Sequence, residues 1–95
     1  MWILRASETD GSLTFRLASG TARTLGRAPI ADFIVDAALV SRVHCRVAAS
    51  DDALDVEDLS STNGTFINDQ RIEHGNATGG DRLRIGRVEL TVEKG

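Results

Sequence analysis

Alternation of apolar and polar residues is the dominant pattern along the chain. The run 13–17 reads Leu-Thr-Phe-Arg-Leu, and similar runs occupy 43–47, 54–57, 83–85 and 88–92. A period of two is typical of β-strands with one buried face, because successive side chains point to opposite sides. In the run 43–47 we therefore expect the three apolar residues to face the core, and His44 and Arg46 to point away from it.

Clusters of Gly, Ser, Asp and Asn separate these runs and predict turns at 10–12, 18–21, 50–52, 63–64, 74–76 and 79–81. Asn63-Gly64 is the strongest hairpin signal among them, since Gly64 can adopt a positive φ. The segment 36–40 has room for at most one helical turn, so we interpret it as a short strand or a loop. Many short strands joined by turns predict an antiparallel sandwich or barrel.

Length and composition indicate a single soluble domain, residues 1–95. Charged residues make up 26% and hydrophobic residues 41% of the 95 residues, which are ordinary globular values. The apolar run at 2–4 is too short for a signal peptide or a membrane span, so we expect a cytoplasmic protein with no membrane contact. The single cysteine, Cys45, excludes an intrachain disulfide and agrees with a reducing compartment.

The charge distribution argues against nucleic acid as a partner. The formal net charge is −3, and the chain has ten scattered arginines and one lysine rather than a basic stripe. Affinity for nucleic acid depends largely on neutralising many phosphates. One or two converging arginines can still bind a single phosphate in an acidic protein.

Catalytic and metal sites are not supported by the sequence. Ser41 and His44 are three residues apart, which places them on opposite faces of an extended chain, and no Gly-x-Ser-x-Gly elbow is present. His44, Cys45 and His74 lack zinc-type spacing. We therefore expect no enzyme, no metal and no cofactor, and interpret His44 as a partly buried histidine hydrogen-bonded to nearby backbone.

Phosphate binding fits three predicted loops better. A phosphoryl group carries about −1.5 to −2 charges near pH 7, so its site needs an arginine together with hydroxyl, amide or backbone N–H donors. Arg27 follows an apparent strand end, Ser41-Arg42 opens a second loop, and Thr62-Asn63 lies in a third. Taken singly, each has an ordinary explanation as a solvated arginine or a turn residue.

The joint pattern resembles the forkhead-associated (FHA) domain family in order and spacing. It comprises Gly26-Arg27, Ser41-Arg42-Val43-His44, the stretch DLSSTNGTFIN from Asp58 to Asn68, Gly80-Asp81 and Ile85-Gly86, with the segment 32–36 resembling the family's strand before its serine loop. The resemblance covers about 13–92. Asp69 replaces a frequent glycine and Ala77 a commonly larger apolar residue, which affects the 69–79 segment only.

The resemblance implies a β-sandwich of about eleven strands with binding loops at one end. It further implies a signalling module, without cofactor or catalysis, that binds phosphothreonine in partner proteins modified by a Ser/Thr kinase. By the same resemblance, Arg27 and Ser41 contact the phosphate and Arg42 lies beside it. Thr62 and Ser61 help to build the phosphothreonine site, and Asn63 forms a hydrogen bond with the peptide backbone. The resemblance also implies that three residues shape the loops: Gly26, His44 and Gly64.

Two alternatives remain open at the level of sequence. One is an interaction domain of the same fold that binds partners without phosphate, through a sheet face or edge. Arg27 and Ser41 argue against it, since neither residue is needed for folding. The other is a small hydrolase using Ser41, which the lack of a paired acid and base disfavours.

Overall fold

A computed structural model, which describes residues 1–8 and 11–95, shows an all-β sandwich of eleven strands. The strands are β1 Trp2–Glu8, β2 Gly11–Leu17, β3 Ala22–Gly26, β4 Phe33–Ile34, β5 Cys45–Ala49, β6 Leu54–Asp58, β7 Thr65–Ile67, β8 Gln70–Ile72, β9 His74–Ala77, β10 Arg82–Ile85 and β11 Val88–Lys94. The fold class expected from the alternation and the FHA resemblance is confirmed.

Two sheets make up the sandwich. The larger has the order β2-β1-β11-β10-β7-β8 and the smaller the order β4-β3-β5-β6-β9. The described ladders are antiparallel except for the short parallel pair of β3 and β4. Phe15 of β2 stacks on Phe33 of β4 with ring centroids 4.7 Å apart, so an aromatic pair joins the edge strands of the two sheets.

The core is formed by the inward residues of the alternating runs. In β11 the positions of Val88, Leu90 and Val92 are buried while Glu89 and Thr91 are exposed. Val47 of β5 packs in the same core from the opposite sheet. β1, which the sequence analysis did not assign, lies between β2 and β11 and shows the same alternation of buried and less buried positions.

The predicted hairpin at Asn63-Gly64 is wrong, although Gly64 does have a positive φ of 91°. β6 belongs to the smaller sheet and β7 to the larger one, so the segment between them crosses from one sheet to the other. The hairpin lies one strand later, between β7 and β8. Its central residues Asn68 and Asp69 have φ values of 49° and 69°, as a type I′ turn requires.

Other expectations for turns and faces need correction. Residues 74–76 form most of β9 rather than a turn, since Gly75 pairs with Val56 of β6. Of the predicted turn 10–12, Asp10 lies outside the described residues and Gly11 begins β2. The segment 36–40 is a loop, as one of its two interpretations stated.

The face assignment for the run 43–47 holds only from Cys45 onwards. Cys45 and Val47 are fully buried, but Val43 precedes β5 and is half-exposed, and His44 is fully buried. The backbone at 42–43 crosses over Gly26 instead of extending the strand. A period of two applies only where the chain is extended, so it does not decide the orientation of Val43 and His44.

Candidate functional site

Strand register brings the three predicted loops together at one end of the smaller sheet. Leu25, near the end of β3, pairs with Cys45 at the start of β5, and Cys45 also pairs with Asp58 at the end of β6. β3 and β4 run parallel and end side by side at Gly26 and Ile34, whereas β5 is antiparallel to both β3 and β6. The segments 27–32, 35–44 and 59–64 therefore all leave the strands at the same end of the sheet. Groups that are far apart in sequence therefore meet at this end.

These loops enclose an open cleft of about 710 Å³, called here the site cleft. The five residues expected to contact a phosphopeptide all line it: Arg27, Ser41, Arg42, Thr62 and Asn63. The three residues expected to shape the loops, Gly26, His44 and Gly64, are buried. Asp36, Leu39 and Ser60 also line the cleft, and the sequence analysis did not assign them.

Gly26 allows the segment 35–44, called here the serine loop, to pass directly over β3. A Cβ atom on Gly26 would lie 2.1 Å from the carbonyl oxygen of Arg42 and 2.8 Å from the Cα of Val43. The backbone N–H of Arg27 donates to the carbonyl of Ser41 at 2.9 Å, and that of Ala28 donates to the carbonyl of Arg42 at 3.1 Å. Only glycine leaves room for this approach.

Two side chains of the cleft hold successive carbonyls of the serine loop. Arg27 donates from Nε to the carbonyl of Val40 at 3.1 Å, and Asn63 donates from Nδ2 to the carbonyl of Leu39 at 3.0 Å. Leu39 itself has a φ of 71°, which is uncommon for a non-glycine residue. The remaining N–H donors of Arg27 have no protein acceptor within the described residues, so they are available to an anion.

Ser41 and His44 connect the serine loop to the loop before β7. The Ser41 Oγ accepts a hydrogen bond from the backbone N–H of Thr62 at 3.1 Å, which leaves the hydroxyl proton free to be donated. The backbone N–H of Ser41 donates to Nδ1 of His44 at 3.0 Å. The proton is therefore on Nε2, which donates to the carbonyl of Gly64 at 2.8 Å. His44 is fully buried, beyond the partial burial expected.

Ser61 points inward rather than into the cleft. Its Oγ donates to Asp58 and accepts from the backbone N–H of Gly64 at 3.0 Å, while Asp58 also accepts from Thr65 Oγ1 at 2.7 Å. Burial disfavours the ionised carboxyl of Asp58, but the hydrogen bonds from Ser61 and Thr65 outweigh it and lower its pKa. Ser61 therefore does not line the cleft, but it holds the crossing segment that carries Thr62 and Asn63.

The geometry does not assemble a hydrolase around Ser41. Both ring nitrogens of His44 are engaged with backbone groups, and the contact with Ser41 is to its N–H and not to its hydroxyl. Burial raises the pKa of the Cys45 thiol to about 12, so this group is not a thiolate near neutral pH. Within residues 1–8 and 11–95, no group of three or more His, Cys, Asp or Glu side chains is placed to bind a metal.

The profile of the FHA domain family matches residues 23–86, which include every residue of the site cleft named above. The chain belongs to the FHA domain family. No helix among the described residues has the length and apolarity to cross a membrane.

Curated relatives share this region within longer proteins. An ABC transporter ATP-binding/permease protein of Mycobacterium tuberculosis is 33% identical over 85 residues, which are 90% of this FHA chain and 10% of the relative. An oxoglutarate dehydrogenase inhibitor of Corynebacterium diphtheriae is 33% identical over 72 residues, which are 76% of this chain and 50% of the relative. The chain thus spans half or less of these relatives.

A solved structure extends the likeness to the whole fold. It comes from a structural and functional analysis of phosphothreonine-dependent FHA domain interactions, and is 29% identical with a TM-score of 0.88. The match covers 99% of this chain and 96% of the other.

Proposed function

We propose that this FHA domain is a signalling module that binds phosphothreonine-containing segments of partner proteins, the products of a Ser/Thr kinase. The observation that carries the proposal is the convergence of Arg27, Arg42 and the Ser41 hydroxyl on one open cleft. The phosphothreonine-dependent interactions named for a similar FHA domain support it. We further propose that residues 1–95 act as one domain in the cytoplasm, where the free thiol of Cys45 suits a reducing compartment.

Each cleft residue has a role that follows from its donors. Arg27 and Arg42 supply positive charge that matches a phosphate dianion, and Ser41 adds a hydroxyl donor. Thr62 lines the phosphothreonine side chain beside them. Asn63, already bonded to Leu39 through Nδ2, offers its remaining amide N–H and its Oδ1 to the extended peptide backbone.

A titration of matched peptides, phosphorylated and unphosphorylated, tests the proposal. A charge-assisted hydrogen bond contributes about 1.5–3 kcal/mol, so Arg27→Ala should weaken phosphopeptide binding at least about tenfold. Ser41→Ala should weaken it less. Arg16→Ala, which removes the same charge from the exposed face of β2, is the matched control and should bind normally.

The same titration separates the alternative functions. Equal affinities for the two peptides, or normal binding by Arg27→Ala, would favour an FHA fold that binds its partners independently of phosphate. Turnover of an ester or phosphoester substrate that is lost in Ser41→Ala would favour a hydrolase.

A further inference from the structure

A second pocket adjoins the site cleft and is not explained by phosphate binding. It has a volume of about 450 Å³ and is lined by Arg27, Ala28, Pro29, Ile34, Asp36 and Arg42. Arg27, Asp36 and Arg42 line both cavities, so the two are adjacent. The wall contributed by Pro29 and Ile34 is apolar and exposed, and Ile34 is 45% accessible although it lies in β4.

Asp36 differs from the acidic loop residues that stabilise the fold. Asp32 accepts from the backbone N–H and the hydroxyl of Thr24, and Asp81 accepts from Thr78 and Asn68. Within the described residues Asp36 has no hydrogen bond and no ion pair, although two arginines line the same pocket. Its carboxylate is therefore exposed and is not paired with either arginine.

When a phosphate is bound, the charges of the site favour a cation beside Asp36. Arg27 and Arg42 neutralise a phosphate of about two negative charges. The carboxylate of Asp36 then adds a charge of the same sign as the ligand, which weakens phosphate binding unless a positive group lies close to it. A basic side chain of the peptide that lies against Asp36 would compensate this charge and would also attract the bound phosphate.

We propose that Asp36 is a specificity-determining residue and that this second pocket takes a lysine or arginine of the peptide, within three residues of the phosphothreonine. The proposal rests on the proposed phosphothreonine binding. The aliphatic stem of the basic residue lies against Pro29 and Ile34, and its charged end reaches Asp36, as long basic side chains commonly do on mixed surfaces. An extended peptide advances about 3.3 Å per residue, so three residues cover about 10 Å.

The test begins with a phosphothreonine peptide library in which each of the three positions on either side is varied. We expect the wild-type domain to select Lys or Arg at one position. At that position, three matched phosphopeptides carrying Lys, norleucine or Glu are then titrated against wild type, Asp36→Asn, Asp36→Lys and Asp52→Asn. Asp52 is exposed in the β5–β6 turn at the opposite end of the strands, so its variant controls for the loss of one negative charge.

Wild type and Asp52→Asn should bind the Lys peptide about two- to fivefold more tightly than the norleucine peptide, the size of an exposed ion pair, because the two side chains share the same aliphatic stem. Asp36→Asn should lose this difference and bind the norleucine peptide more tightly than wild type does. Asp36→Lys should prefer Glu. The same residue preference in wild type and Asp36→Asn would overturn the inference while leaving phosphothreonine binding intact, whereas failure of every phosphopeptide to bind would overturn both.

Discussion

Gly26→Ala is the sharpest test of how the fold builds the binding loops. The new Cβ would lie 2.1 Å from the carbonyl oxygen of Arg42 and 2.8 Å from the Cα of Val43. Non-bonded heavy atoms settle at about 3.5–4.0 Å, so the serine loop would have to retreat by about 1 Å or more. Both obstructing atoms belong to the backbone, so no side-chain rotation can relieve the clash.

The expected loss of stability combines overpacking with broken hydrogen bonds. Overpacking a closely packed site costs about 1–3 kcal/mol. Retreat of the loop would also break the bonds from the N–H groups of Arg27 and Ala28 to Ser41 and Arg42, each with a net contribution of about 0.5–1.5 kcal/mol. Together these effects amount to about 2–6 kcal/mol, a large part of the roughly 5–15 kcal/mol typical of a domain.

Urea unfolding followed by tryptophan fluorescence measures this loss directly. Trp2 is the only tryptophan and is 1% exposed, so its emission reports global unfolding. Gly79→Ala is the matched control, because a Cβ there would have its nearest neighbour at 3.9 Å, an ordinary contact. We expect Gly79→Ala to differ from wild type by less than about 1 kcal/mol.

Binding supplies the second readout for Gly26→Ala. The displaced serine loop would carry Ser41 and Arg42 away from Arg27, so the fraction that remains folded should bind phosphopeptide at least about tenfold more weakly. A variant that matches Gly79→Ala in both its urea midpoint and its phosphopeptide affinity would refute the argument from close approach.

Three further predictions address the core, the ligand and the pH dependence of stability. Val47→Ala should lower the free energy of unfolding in urea by about 1–3 kcal/mol without changing binding by the folded fraction; a wild-type midpoint would contradict its place in the core. At pH 7.5 a phosphothreonine peptide should bind roughly five- to hundredfold more tightly than its phosphoserine counterpart, since burial of the γ-methyl contributes about 1–3 kcal/mol; affinities within twofold would contradict this. Hydrogen bonds lower the pKa of Asp58 although its partial burial acts in the opposite direction. The ionised carboxylate should therefore stabilise the fold fully above the ordinary carboxyl pKa of about 4, and this stabilisation should be lost as the pH falls through the lowered pKa. Melting temperatures should therefore fall less steeply in acid for Asp58→Asn than for wild type.

The sequence was sufficient to predict the strands that have one buried and one exposed face. β10, β11 and β6 were predicted because hydrophobic burial on one side of a strand imposes a period of two that can be counted directly. The positions of Arg27, Ser41 and Asn63 were also recognisable, since their joint spacing resembles that of a known family. Both signals are local or ordered along the chain, so no tertiary information was needed to detect them.

The shortest strands and their partners could not be inferred in the same way. β7 reads Thr-Phe-Ile and β9 reads His-Gly-Asn-Ala, so neither strand shows an alternation of apolar and polar residues. Asn63-Gly64 suggested a hairpin because its turn chemistry is local, but β6 pairs with β5 and β9, while β7 pairs with β10 and β8. Strand pairing depends on which non-local neighbours bury the most apolar surface, and a turn motif does not contain that information.

The sequence thus showed which residue types are available for the site, but the tertiary structure decided where their side chains point. Ser61 and Thr62 are adjacent and chemically alike, yet Ser61 is bonded to Asp58 beneath the loop whereas Thr62 lines the cleft. His44 is buried because two loops supply backbone partners for both ring nitrogens. These orientations follow from the register of β3, β5 and β6, which brings three separate loops to one end of the sheet. The hydrogen bonds between those loops depend on the distances that the sheet sets between them.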